Sequence, residues 1–173
     1  MKFIATILLA IVSTTVFAQE KQITWLSFEE AVAKINAEPT GKKIFIDVYT
    51  DWCGWCKKMD KETFNDPVVK EYMINNFWMV KFNAEQKEDV VFQGQTYSFV
   101  DQGRNGYHEL AAALTNGNLS YPTVVYLTEE FQLLAPVAGY YPAAPFLDVA
   151  KYFGDNFYKD MTWKDYESTL KSK

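Results

Sequence analysis

The sequence predicts one α/β domain in three layers, a central mixed sheet flanked by helices, with an inserted β-hairpin and an extra C-terminal helix. Three observations carry this. Segments of strand and helix character alternate along the chain. An apolar, β-branched run, Lys43-Ile44-Phe45-Ile46-Asp47-Val48-Tyr49, leads through Cys53-Gly54-Trp55-Cys56 into the helix formers Lys57 to Glu62. The 173 residues favour a single domain, and 49% hydrophobic with 17% aromatic residues is ample for a sizeable core and argues against disorder.

Charge narrows the partners. Lys and Arg number 17 against 22 Asp and Glu, a formal net charge of -5. Arg104 is the only arginine and no basic stripe stands out, which argues against nucleic acid.

The chain opens with a leader pattern. Lys2 precedes the apolar run Phe3 to Val12, Ser13-Thr14-Thr15 ends it, and Val16-Phe17-Ala18 sets small residues at the two positions a signal peptidase reads. The apolar run is too short to span a bilayer. Residues 1–18 are expected to be a cleaved secretory signal, with an uncleaved anchor as the alternative, and residues 19–173 the domain. No later segment is long and apolar enough for a membrane span, so the mature protein is expected to be periplasmic or secreted without stable membrane insertion. Export would place the two cysteines where disulfides persist, and with only two there is no separate structural disulfide framework.

Ser27-x-x-Glu30 is a capping box, and Phe28, Ala31, Val32 and Ile35 follow at helical spacing up to Pro39-Thr40-Gly41. The strand over residues 43–49 comes next. Its Asp47 is a carboxylate in a run that should be buried on both faces. Either it turns to solvent or pairs with a lysine, or it is a buried carboxylate of raised pKa behind the cysteines, serving as proton acceptor. Cys53 and Cys56 stand where this strand gives way to a helix. Residues i and i+3 of a helix start face one side, so their sulfurs can close a short ring, and the helix N-terminus favours a thiolate on Cys53, expected to be the more exposed cysteine and the nucleophile.

Thr63 to Asp66 should interrupt the helix, and Asp66 with Pro67 should cap a further one. Phe77 to Phe82 reads as a strand in which Lys81 is a lone charge, either exposed or approaching Asp47. Residues 84–106 read as an insertion. Val90-Val91-Phe92 and Thr96 to Val100 form its hairpin about Gly94, and it is either a solvated surface feature or a part that shapes substrate access. Tyr107 to Leu114 reads as a helix, Val124 to Leu127 as a strand opened by Tyr121-Pro122-Thr123, and Phe131 to Ala138 as its antiparallel return closed by Gly139. Pro122 is a candidate cis peptide. Pro142 starts a helix to about Phe153, with Phe146, Val149, Ala150 and Phe153 as its apolar face, and Thr162-x-x-Asp165 caps the last helix.

With Trp52-Cys53-Gly54-Trp55-Cys56 at a strand-to-helix joint, this order of elements resembles the thioredoxin superfamily over nearly the whole chain after the leader. The stretch from Tyr49 to Val69 is most similar to exported thioredoxin-like domains such as the C-terminal domain of the electron carrier DsbD. The resemblance implies Cys53 as attacking and Cys56 as resolving cysteine, Trp52 as the tryptophan before the pair, Asp47 as the buried aspartate with Lys81 beside it, Pro122 as the cis-proline against the disulfide, and Gly139 near the end of the sheet. Trp52, Gly54, Trp55, Tyr121 and Pro122 would touch substrate. Gly54-Trp55 has neither the proline of thioredoxins nor the histidine of oxidising relatives, which implies a mild reductant or isomerase. Tyr121 stands where a small or β-branched residue is usual. The implied activity is thiol–disulfide exchange on exported protein substrates, recharged by a membrane electron-donor thiol protein, with no cofactor or metal.

Two rival readings remain at this level. Two thiolates and the distant His108 make a poor metal site, and His108 is better read as a surface or core residue. A thioredoxin scaffold can also serve as a non-catalytic binding module. Of the aromatic residues Trp52, Trp55, Tyr140 and Tyr141, the two tryptophans flank the cysteines and cannot all be core.

Overall fold

A computed structural model describes residues 21–103 and 106–172. The expected leader and Arg104 lie outside the described residues. The elements are α1 (Phe28–Ala37), β1 (Lys43–Tyr49), α2 (Gly54–Met59), a π-helical turn (Asp60–Phe64), α3 (Pro67–Asn76), β2 (Phe77–Asn83), β3 (Val90–Phe92), β4 (Gln95–Tyr97), β5 (Phe99–Val100), β6 (Tyr107–His108), α4 (Glu109–Leu114), β7 (Thr123–Leu127), β8 (Leu133–Ala138), α5 (Ala143–Gly154), a 3-10 turn (Phe157–Lys159) and α6 (Trp163–Lys171).

β1 lies inside the four-stranded sheet, ordered β2-β1-β7-β8. It runs parallel to β2 and antiparallel to β7, so the sheet is mixed. Strand alternation sends its residues to opposite layers. Ile44, Ile46 and Val48 pack with Phe28, Val80, Leu110 and Val125, whereas Phe45 packs with Met59, Phe64 and Phe146. Asp47 shares the parity of Phe45, so it faces the layer built by α2, α3 and α5.

Local signals set the ends of the elements. The Ser27 hydroxyl accepts from the Glu30 N–H while the Glu30 carboxylate accepts from the Ser27 N–H, the reciprocal capping box. Ser27→Ala should lower the urea-unfolding free energy by about 1 kcal/mol, read as a shifted midpoint at unchanged slope. The Asp66 carboxylate caps α3 through the N–H groups of Val68 and Val69, with Pro67 in its first turn.

Four boundaries differ from expectation. The helix after the cysteines does not stop at Thr63 but widens into a π turn through Phe64, held where the buried Thr63 hydroxyl donates to the Tyr141 carbonyl (2.6 Å). The insertion forms two small ladders and not one hairpin. β3 pairs with β4 across Gln93-Gly94, both at positive φ, and β5 pairs with β6. Tyr107 and His108 are therefore strand, and α4 begins at Glu109, because the His108 ring caps it by accepting from the Leu110 N–H. The return strand starts at Leu133, since Phe131 takes positive φ in the turn. Gly106 lies against Phe99 so closely that an added Cβ would overlap the ring, which is why β5 and β6 can approach there.

Candidate active site

The loop from β1 into α2 builds the site. Cys53 and Cys56 form a disulfide with Cα atoms 5.3 Å apart. Cys53 is the N-cap of α2, and its Sγ accepts from the Cys56 N–H at 3.0 Å. In the reduced protein the same N–H would face a Cys53 thiolate at the positive end of the helix. Both cysteines are 3% exposed, so Cys53 is not the more exposed of the two in this disulfide form. The reason is that capping turns the Cys53 sulfur inward over the helix start. Trp52 and Trp55, by contrast, are 67% and 57% exposed and frame the pair as an aromatic rim. Gly54, between the cysteine and the second tryptophan, is exposed.

Beneath the helix lies a charge cluster. Asp47 is 1% exposed, so it does not turn to solvent. The parallel register sets it opposite Lys81, and the Lys81 Nζ stands 3.6 Å from the Asp47 Oδ2. Lys81 also makes a short hydrogen-bonded ion pair with Asp60. The rings of Trp25 and Tyr49 lie 5.0 Å and 5.3 Å from the Lys81 Nζ. Burial pushes the Asp47 carboxyl up to about 7, Lys81 pulls it down, and Asp60 raises it further. The Asp47 Oδ1 is buried without a hydrogen-bond partner in the protein, as is the Thr50 Oγ1. A carboxyl poised near neutrality, with a lone pair unused, is able to take up a proton.

Asp60 did not figure among the expected site residues. Its signal was present, because it lies four residues after Cys56 and so on the same side of the helix. What hid it was its setting among Lys57, Lys58, Lys61 and Glu62, where a surface ion pair is the ordinary reading.

Each flank of the disulfide sets a carboxylate among aromatic rings, and among the described residues only one of them holds a lysine there. On one, the Lys58 Nζ lies 5.1 Å from the Trp55 ring and 5.0 Å from the Tyr140 ring, and the Tyr140 hydroxyl donates to Glu62 at 2.8 Å. On the other, the Trp52 indole N–H donates to Glu85 at 2.9 Å, and the Trp52 ring meets Tyr121 edge-on at 6.1 Å. The Tyr121-Pro122 peptide is cis. A cavity of about 410 Å3 opens there, lined by Trp52, Tyr107, Leu119, Tyr121 and the insertion residues Glu85, Gln102 and Gly106. The insertion thus reaches the disulfide loop. Burial, and Glu85 nearby, push the Tyr121 phenol up to about 12. A larger cavity of about 940 Å3 lies between β8, α5 and α6, and no residue of α2 lines it.

His108 is fully buried. Its Nδ1 accepts from the Leu110 N–H, and the Nε2 lies 3.0 Å from the Glu88 carbonyl, to which it donates. Both ring nitrogens are engaged, so it is a core residue and not a ligand. No group of three or more His, Cys, Asp or Glu among the described residues is arranged to hold a metal. No helix among them is long and apolar enough to cross a membrane.

Comparison with known proteins agrees with this geometry. A thioredoxin-like domain model matches residues 30–154. The thiol:disulfide interchange protein DsbD of Colwellia psychrerythraea is 35% identical over 79 residues, which cover 43% of this chain and 13% of that protein. The chain therefore spans only a small part of that relative. A thioredoxin-fold protein from Helicobacter pylori superposes with a TM-score of 0.58 at 21% identity, covering 91% of this chain and 88% of its own. A putative disulphide-isomerase from Bacteroides thetaiotaomicron does so with a TM-score of 0.54 at 26% identity, covering 78% and 95%.

Proposed function

The chain belongs to the thioredoxin-like domain family and carries the Cys-x-x-Cys disulfide of a thiol–disulfide oxidoreductase, and from that premise we propose that it reduces or isomerises disulfides of other exported proteins. The observation that carries the reading is the Cys53–Cys56 disulfide at the first turn of α2, with the Cys56 N–H aimed at the Cys53 Sγ.

The chemistry follows from that arrangement. In the dithiol form, the Cys53 thiolate attacks one sulfur of a substrate disulfide. An Sγ–S bond forms, the substrate S–S bond breaks, and one substrate thiol leaves. Cys56 then loses its proton and attacks the Cys53 Sγ, which releases the second substrate thiol and leaves the Cys53–Cys56 disulfide. Asp47, its charge steadied by Lys81 and through it by Asp60, accepts the Cys56 proton, through water where the two do not touch. The Pro122 carbonyl accepts from the Gly139 N–H at 2.8 Å, so strand-like pairing with a substrate falls to the Tyr121 backbone. Exchange of this kind uses only sulfur and protons and needs no resident cofactor. Return to the dithiol takes two electrons from a partner thiol, proposed to be a membrane electron-donor protein. The leader pattern of residues 1–18 supports export of the domain that begins at residue 19.

The reduction potential tests the direction. Equilibration in graded thiol–disulfide buffers, read by Trp52 and Trp55 fluorescence, should give a value near the thioredoxin end of the scale, about -270 mV. The reason is that Gly54-Trp55 brings no histidine charge to hold the dithiol form. A value near about -120 mV would make the protein an oxidant. No exchange with either buffer would favour a binding module, whose partner affinity would survive loss of both cysteines.

A further inference from the structure

Among the described residues lining the cavity beside the disulfide, Glu85 is the only charged side chain. Its position is held from two sides. The Trp52 indole N–H binds one carboxylate oxygen, and the Glu85 N–H donates to the Asn83 side-chain oxygen at 2.9 Å. The Asn83 amide in turn donates to Asp51 at 3.2 Å, which sets a second carboxylate on the same flank. A carboxylate offers about four acceptor positions, and one indole N–H occupies one of them. Glu85 therefore keeps acceptor capacity toward the cavity, whose other walls include the aromatic rings of Trp52, Tyr107 and Tyr121. Aromatic faces around a carboxylate favour a cation, and a planar guanidinium above an ammonium, since it stacks on rings and engages a carboxylate with two N–H groups. Across the disulfide the aromatic notch of Trp55 and Tyr140 already holds a cation, Lys58, which Glu62 pairs at 3.8 Å.

We propose that this cavity is a specificity pocket for a basic side chain, arginine above lysine, next to the attacked cysteine of a protein substrate. The pocket joins the inserted segment to the active-site loop, which gives that segment a role in choosing substrates. The proposal rests on the oxidoreductase reading above.

The test uses reduced protein in single turnovers, followed by tryptophan fluorescence. The substrates are two symmetric disulfide-linked pentapeptides, one with arginine on both sides of its cysteine and one with glutamate. Each rate is divided by the rate of the same peptide with free glutathione, which removes the peptide's own reactivity. The wild type should prefer the arginine peptide by about tenfold. Glu85→Gln, whose amide oxygen can still accept from Trp52, should bring that preference to about twofold, and Glu85→Lys should reverse it. A wild type without preference, or a Glu85→Gln protein that keeps it in full, overturns the pocket while leaving disulfide reduction standing. If neither peptide is reduced, the oxidoreductase reading fails and this one with it.

Discussion

Replacing Cys56 by serine should turn the protein from a catalyst into a trap. The Cys53 thiolate still attacks a disulfide substrate, but nothing resolves the mixed disulfide, so turnover falls roughly a thousandfold and a covalent adduct accumulates. Serine nearly matches cysteine in size, so the buried site is not emptied. Cys53→Ser should be equally inactive yet form no adduct, because the remaining Cys56 lies inside the first turn of α2 and lacks the N-cap position that favours a thiolate on Cys53. Non-reducing electrophoresis and intact mass distinguish the two. An adduct on the Cys53→Ser protein, with none on the Cys56→Ser protein, would reverse the assigned roles. The asymmetry comes from the helix: only Cys53 sits at the N-cap, where backbone N–H groups and the helix dipole favour its thiolate.

Asp47→Asn should have the second-largest effect, and it should depend on pH. The folded carboxyl titrates at about 7 and the ordinary one near 3.8. Between these values the folded chain holds a proton that the unfolded chain has released. Wild-type stability should therefore fall as the pH rises from about 4 to about 7, by up to about 4 kcal/mol, and level off above. The asparagine variant lacks this slope. It should match the wild type most nearly at pH 4 and exceed it at pH 8, while Lys81 keeps Asp60 as a partner. Urea unfolding of the disulfide form at the two pH values measures this. An equal offset at both would mean that Asp47 does not titrate in this window. The same substitution should slow release from the mixed disulfide by roughly a hundredfold, because the proton acceptor is lost. A substitution that stabilises the fold and impairs the reaction is the pattern expected of a charge retained for chemistry.

Much of this site is legible in one dimension because its signals are local. A capping box, an Asp-Pro helix start and a β-branched run bounded by turn residues act within a few residues of where they stand. Ser27, Asp66 and the strand at residues 43–49 accordingly lie where the pattern puts them. The cysteine spacing is local in the same sense. The pairing of Lys81 with Asp47 is legible for another reason: a lone charge in each of two apolar runs must be matched or exposed, and adjacent strands are the economical match.

By itself, then, the sequence determined the α/β order, the Cys53-x-x-Cys56 pair at the strand-to-helix joint with a tryptophan on either side of Cys53-Gly54, and a lone carboxylate in the strand before it, while leaving open whether Asp47 faces solvent or the interior. Tertiary structure alone decided that Asp60 joins Lys81 under the helix, that Cys53 is as buried as Cys56, and that Glu85 meets Trp52 and lines a cavity with Tyr121 beside the disulfide. The physical reason is range. Hydrogen bonds within a turn are written in neighbouring residues, whereas Trp52 and Glu85 are 33 residues apart and meet only because β1 and β2 run parallel and end side by side.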